Sequence, residues 1–202
     1  MKIFLPIYLL AYFLAAFLWR SYVVWKRSGI NPVVFKGADT AHDFIGLIFK
    51  LLFGTVVVVV LLNSLVERLD EYLTPIRFLR RRWVHAVGLL LLIMSFGWTI
   101  LAQSQMGESW RIGIDSEHRT TLISRGAFSI SRNPIFVGMM ITLFGLLLVL
   151  PNVVTLITFV MGAVLINVQV RLEEDHLRKV HGEEYKHYKE RVRRWLGASA
   201  PR

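Results

Sequence analysis

The sequence predicts an all-α integral membrane protein, a helical bundle of about five transmembrane helices followed by a cytoplasmic C-terminal helical segment. Three observations carry that prediction. Of the 202 residues, 54% are hydrophobic and mean hydropathy is +0.51, a balance that suits a membrane protein better than a soluble domain. Five runs reach or approach the roughly 20 apolar residues that cross a bilayer. Charge is confined almost wholly to the connections and the last 32 residues.

The first run, 3–19, follows only Lys2 and lacks a small-residue cleavage site, so it reads as a retained span and not a cleaved signal. The second, 44–65, holds Lys50 near its start, where a long side chain can snorkel. The third is 83–101. The fourth and fifth, 134–150 and 152–170, are separated only by Pro151-Asn152, an uncharged turn that makes them an antiparallel hairpin. Both open ends of that hairpin face one compartment. The chain thus divides into three N-terminal spans, 1–102, and a C-terminal half, 103–202, containing a loop, the hairpin and a polar tail.

Lysine and arginine set the orientation. With an odd number of spans, 20–43, 102–133 and 171–202 share one side and carry 17 of the 24 basic residues, against 6 on the other side. The richer side is expected to be cytoplasmic. Arg77, Arg80, Arg81 and Arg82 fall on the opposite face, against that trend. A net charge of +10 in so apolar a chain points to anionic lipid headgroups, since no soluble nucleic-acid module has room to fold. Cysteine is absent, which excludes disulfides and thiolate metal sites.

Chemistry concentrates at the open end of the hairpin. The loop 122–138, LISRGAFSISRNPIFVG, is polar, basic and marked by Gly126 and Gly138. It runs into the fourth span through Asn133-Pro134, where asparagine can cap free N–H groups and proline suits the first turn. A helix start there offers N–H donors to a carboxylate or phosphate. Glu173-Glu174 follows the fifth span directly and returns to the same side, as a base, a site for a cationic group, or a solvated cap paired with Arg171 or Arg178. Tyr185, Tyr188, Val192 and Trp195 recur at three- and four-residue spacing among basic residues, which predicts an amphipathic helix in the headgroup plane. His118, His176, His181 and His187 show no ligand spacing, so no metal is assigned. Phosphate-loop, nucleophile-elbow and dinucleotide fingerprints are absent.

These residues resemble a known family. The loop, Glu173-Glu174 and the run His181-Gly182-Glu183-Glu184-Tyr185 with Tyr188 and Val192 are similar to the isoprenylcysteine carboxyl methyltransferases, integral membrane enzymes whose C-terminal core related lipid methyltransferases share. The resemblance covers about 109–195. Trp110–Ile114 and Arg132–Phe136 look like its bacterial branch, which implies a bacterial inner membrane with the site on the cytoplasmic side. It implies S-adenosylmethionine as cofactor, held by Thr120, Thr121, Leu122, Ile123, Phe128, Asn133, Pro134, Ile135 and Phe136, with Glu173 closing the pocket. Glu173, Arg132 and Gln169 are the candidate catalytic residues. The acceptor is a membrane lipid or lipophilic small molecule.

The chain departs from the family pattern at Phe128 and Phe136, where tyrosine is usual, at Asn133 for histidine, and at Gln169 for an arginine thought to orient a substrate carboxylate. The last change weighs against a carboxylate acceptor. Arg171 is a poor substitute, because two residues turn it about 200° from the face of Glu173. Glu174, about 100° round the helix, should matter less to the cofactor. Two rival readings are a membrane reductase using NADPH, built on a similar C-terminal core, and a non-catalytic scaffold.

Overall fold

The computed structural model describes residues 2–34, 40–67, 69–113 and 121–197. Four helices are long and apolar enough to cross a membrane: α1 (Phe4–Ser28), α2 (Ala41–Leu65), α3 (Arg82–Ser109 with its last turn 3-10) and, after the shorter α4 (Pro134–Val149), α5 (Val153–Arg191). The protein is an all-helical integral membrane bundle. The expected fourth span is thus a 16-residue helix, about 24 Å at 1.5 Å per residue against a hydrocarbon core of about 30 Å. It needs no lipid match, because it is buried between its neighbours along Val137, Gly138 and Gly145–Val149.

Two further boundaries differ from expectation. α1 runs nine residues past Trp19 to Ser28, through a π-helical stretch at Leu14–Trp19, and ends at Gly29 in the left-handed conformation. α5 does not stop where the chain turns polar. Backbone hydrogen bonding is self-contained, so charged side chains exposed to water do not end a helix. It continues to Arg191, with a kink at Gly182, whose φ of 51° and ψ of −122° are open only to glycine.

Helix starts follow local chemistry. Thr40 caps α2 by accepting from the Asp43 N–H at 3.2 Å. Asn152 and Thr155 form a reciprocal capping box at the start of α5. The turn before it is pinned to the 73–76 segment, with the Ile76 N–H donating to Pro151 O at 2.9 Å and the Val153 N–H to Thr74 O at 3.2 Å.

The core joins both halves of the chain. Leu5, Tyr8, Tyr12 and Ala16 of α1 pack against Val56 and Val60 of α2, Leu92 of α3, and Leu146 and Val149 of α4. In lipid, packing and interhelical hydrogen bonds hold helices together. Here Tyr8 Oη donates to Leu92 O at 3.1 Å, Tyr12 Oη to Thr99 Oγ1 at 3.2 Å, and Thr142 Oγ1 to Ser95 Oγ at 2.9 Å. α3 and α4 approach closely where Gly138 abuts Thr99 and Gly88 abuts Gly145. A Cβ at Gly88 would lie 2.8 Å from Val149 Cγ2, 2.9 Å from Leu148 Cβ and 3.0 Å from Gly145 O, and the last two are rigid. Gly88→Ala should therefore cost about 1–3 kcal/mol by overpacking, read as a lowered thermal midpoint in detergent. An unchanged midpoint would show that α3 and α4 separate freely.

Candidate active site

The ends of α1, α3 and α5 and the starts of α2 and α4 meet on one face of the bundle. Pro32–Val34, between α1 and α2, pairs with the segment after α3: the Val34 N–H donates to Ile112 O at 2.9 Å and the Ile112 N–H to Pro32 O at 2.8 Å. This tie brings the start of α2 to the loop that precedes α4.

Glu174 is the hub of a buried ion cluster. Its side chain is 7% exposed, as is that of Arg132, while Arg194 is 31% exposed. Arg132 Nη2 reaches both carboxylate oxygens at 3.0 and 3.2 Å, and Arg194 donates through Nη2 at 2.8 Å and Nε at 3.2 Å. Asn133 Nδ2 adds a third donor at 3.0 Å. Desolvation opposes the anion, but Arg194 and Arg132, helped by Asn133, outweigh it and hold the carboxyl below the usual carboxylate range. Arg132 also donates to Val192 O at 2.8 Å and Lys189 O at 3.2 Å, which ties the tail to the start of α4.

Asn133 therefore does not cap α4. Its side chain is turned to Glu174 and to Arg194 O, and the helix start has no side-chain cap. The reason is competition: a charged acceptor makes a stronger bond than the helix's own N–H groups offer.

Glu173 stands apart from this cluster. The apolar run of α5 ends at Val170, and Glu173 lies in the polar continuation of the helix, half-buried. Gln169 Nε2 donates to its Oε1 at 2.8 Å, while Gln169 Oε1 lies 3.1 Å from His42 Nδ1. With the amide nitrogen spent on Glu173, the His42 ring nitrogen is the donor in that second bond. Among the described residues Glu173 Oε2 accepts nothing. Burial pushes the carboxyl up to about 7, the Gln169 hydrogen bond only partly opposing it.

The aromatic residues of the tail face protein and not lipid. Tyr185, Tyr188 and Val192 are buried and pack against Leu122 and Leu177, and Trp195 is half-buried. Tyr188 Oη donates to Phe128 O at 2.6 Å, fixing the loop to α5. The apolar stripe was correctly placed on one face, but the folded loop covers it in place of lipid.

The remaining loop residues are placed as follows. Thr120 lies outside the described residues, as does His118. Thr121 is exposed, with its Oγ1 3.1 Å from Ser109 Oγ. Leu122 and Ile123 are half-buried and Phe128 is buried. Pro134 O accepts from Trp98 Nε1 at 2.8 Å, and Ile135 and Phe136 sit half-buried in the first turn of α4. The structure brings Asn133, Pro134, Ile135 and Phe136 together with the Glu174 cluster, and Gln169 with Glu173. Arg132 is committed to Glu174 and the tail.

Sequence reasoning passed over His42 and the role of Arg194 here. His42 was screened by distance along the chain, although Thr40-x-x-Asp43 is a capping signal that puts it at a helix start on the same face. Arg194 was read only as part of a basic run. His181 Nε2 and Tyr185 Oη are buried without a hydrogen-bond partner among the described residues.

A family model for phospholipid methyltransferases matches residues 83–184, from the start of α3 to just past the kink in α5. The chain belongs to the phospholipid methyltransferase family. The protein is accordingly a membrane methyltransferase of the superfamily that also contains the isoprenylcysteine carboxyl methyltransferases. No curated protein matches the chain. The family match spans every residue of the Glu173 and Glu174 groupings except His42, which precedes it, and Arg194, which follows it.

Proposed function

We propose that the protein transfers a methyl group from S-adenosylmethionine to an uncharged acceptor on a lipophilic molecule, at the cytoplasmic face of a bacterial inner membrane. The observation that carries the cofactor assignment is Glu173, a half-buried carboxylate with one unused oxygen, next in the chain to the Glu174 that binds Asn133 ahead of the uncapped start of α4. The residues present suit a zwitterionic sulfonium. Glu173 would take the ammonium, and the first-turn N–H groups of α4 its carboxylate. The Glu174 cluster, one anion between two guanidiniums, leaves a positive excess near that helix start, which favours an anion there. The unpartnered His181 Nε2 and Tyr185 Oη add polar atoms on the same helix.

When bound, the cofactor supplies both the methyl group and its own leaving group. What this chain must add is alignment and the exclusion of water. Phe128 and Phe136, at the loop and the helix start, are the apolar side chains to shield the reacting centre. His42 positions Gln169, and Gln169 holds Glu173, so the three act as one unit across α2 and α5. Arg132 serves as the clamp joining loop, α5 and tail.

The acceptor follows from Gln169. An anion left unpaired at low dielectric is costly, and a guanidinium offsets that cost where an amide does not. Arg132 is occupied by Glu174. An amine, thiol or hydroxyl on an apolar molecule should be methylated faster than a prenylcysteine carboxylate.

The test begins with thermal unfolding of the purified protein with S-adenosylhomocysteine and, separately, with NADPH. At 100 times its dissociation constant the former should stabilise by about 2.7 kcal/mol. Stabilisation by NADPH alone would transfer the fold to reductase chemistry. Labelled methyl transfer to lipid amines, small thiols and farnesylcysteine analogues then ranks the acceptors, and turnover confined to the farnesylcysteine carboxylate would refute the neutral-acceptor reading.

A further inference from the structure

The membrane face opposite the candidate site carries a second polar feature that methyl transfer does not use. A groove of about 330 Å3 opens there, lined by Leu79, Arg80, Arg81, Arg82 and His85 on one side and by the turn between α4 and α5 on the other. Its floor is apolar, formed by Val149, Leu150 and Pro151, while its rim holds three consecutive arginines and a histidine. Among the described residues, no lining residue is acidic. Arg81 and Arg82 are exposed, and among the described residues their guanidiniums make no ion pair or side-chain hydrogen bond. Phe78, 72% exposed, and Trp83, 64% exposed, flank the rim. Aromatic side chains in that setting belong at the level of lipid headgroups.

These arginines lie on the side poorer in basic residues, where positive charge works against the topology that the rest of the chain specifies. The groove itself is held in place by the α4–α5 turn, which is pinned to residues 73–76. A basic rim above an apolar floor is complementary to one kind of molecule, a phosphate with hydrocarbon attached.

We propose that this groove binds the phosphate of an anionic phospholipid from the leaflet opposite the candidate active site. Arg81 and Arg82 supply the donors, and the Val149–Pro151 floor receives the glycerol and first methylenes of the lipid. The proposal is independent of the cofactor and acceptor assigned above.

The test uses the full chain in nanodiscs of phosphatidylcholine with or without phosphatidylglycerol, read as retained lipid by native mass spectrometry. Wild type should keep phosphatidylglycerol preferentially. The double variant R81Q/R82Q should bind it roughly thirtyfold more weakly, since each arginine near the surface contributes about 1 kcal/mol. R81K/R82K should restore most of the preference, and Lys189→Gln on the other face should leave it intact. Equal retention by wild type and R81Q/R82Q overturns the proposal. So does equal protection of the wild type by inorganic phosphate, which would make the groove a site for the free anion. Should R81Q/R82Q not fold, a photoactivatable phosphatidylglycerol on the wild type decides the matter. Crosslinks must fall within 79–85 or 149–152, and their confinement to the tail overturns the proposal.

Discussion

Glu174→Gln should be the most destabilising single substitution in the polar half of the molecule, by about 3–5 kcal/mol. The change keeps the shape of the side chain but leaves Arg132, 7% exposed, as a buried cation without its anion. Arg194, less buried, can turn to water, so most of the loss falls on Arg132. Thermal unfolding in nanodiscs would register it, and a shift under about 1 kcal/mol would reduce the cluster to a surface ion pair. pH gives an independent check. The carboxyl is depressed in the folded protein, so its contribution is complete above the ordinary carboxylate range and is lost as pH falls through the depressed value. Wild type should therefore weaken in acid, and Glu174→Gln should lack that part of the decline. Because a desolvated pair seldom outdoes a hydrophobic one, Arg132→Met with Glu174→Leu should recover much of the stability that Glu174→Gln loses.

Glu173→Gln should behave in the opposite way, sparing the fold and weakening S-adenosylhomocysteine by about 1.5–3 kcal/mol, the value of a charge-assisted hydrogen bond. Folding loses little, because the carboxyl is raised to about 7 and is already largely uncharged in mild acid. The same elevation predicts how affinity varies with pH. A bound ammonium favours the ionised carboxyl, so binding below neutrality must expel a proton. Affinity should rise from about pH 5.5 to 7, close to tenfold per unit at the acid end, before the ligand's own amino group titrates. Calorimetry in buffers of different ionisation enthalpy would detect the released proton. Glu173→Gln should abolish both the release and the slope. Equal affinity and equal slope in the two proteins would return Glu173 to the role of a surface cap.

The two carboxylates show which part of the site was legible in the sequence. Their place after a span, facing the loop that opens the next helix, follows from counting apolar residues and from the hairpin at Pro151. Their different environments do not, because the charged partners of Glu174, Arg132 and Arg194, lie 42 and 20 residues away, the first read as a catalytic candidate and the second as part of a basic run. The bundle itself was readable for the same reason: hydrocarbon thickness fixes helix length more strictly than any local propensity. Where that constraint lapses, so did the reading. α4 is largely packed against protein and is shorter than a span, and α5 carries on past its apolar run with nothing in its polar residues to stop it. The tail stripe of Tyr185, Tyr188 and Val192 was visible as a face, but a stripe does not say whether lipid or a folded loop covers it.

The shortness of α4 has a consequence for where the chemistry would take place. Its far end is fastened to residues 73–76 by the backbone bonds of Pro151 and Val153. With residues 73–76 at the opposite membrane surface, the shortfall of about 6 Å against the hydrocarbon core would appear at the other end. Asn133 and Pro134 would then begin the helix beneath the headgroups instead of among them. The proposed site would be a well sunk into one leaflet, floored by protein and walled partly by acyl chains. A molecule dissolved in that leaflet would meet it by lateral diffusion, with its reactive atom at the depth of the glycerol backbone and no need to climb into water. Selection among acceptors would then depend as much on how deep each one rides in the bilayer as on the shape of its reactive group.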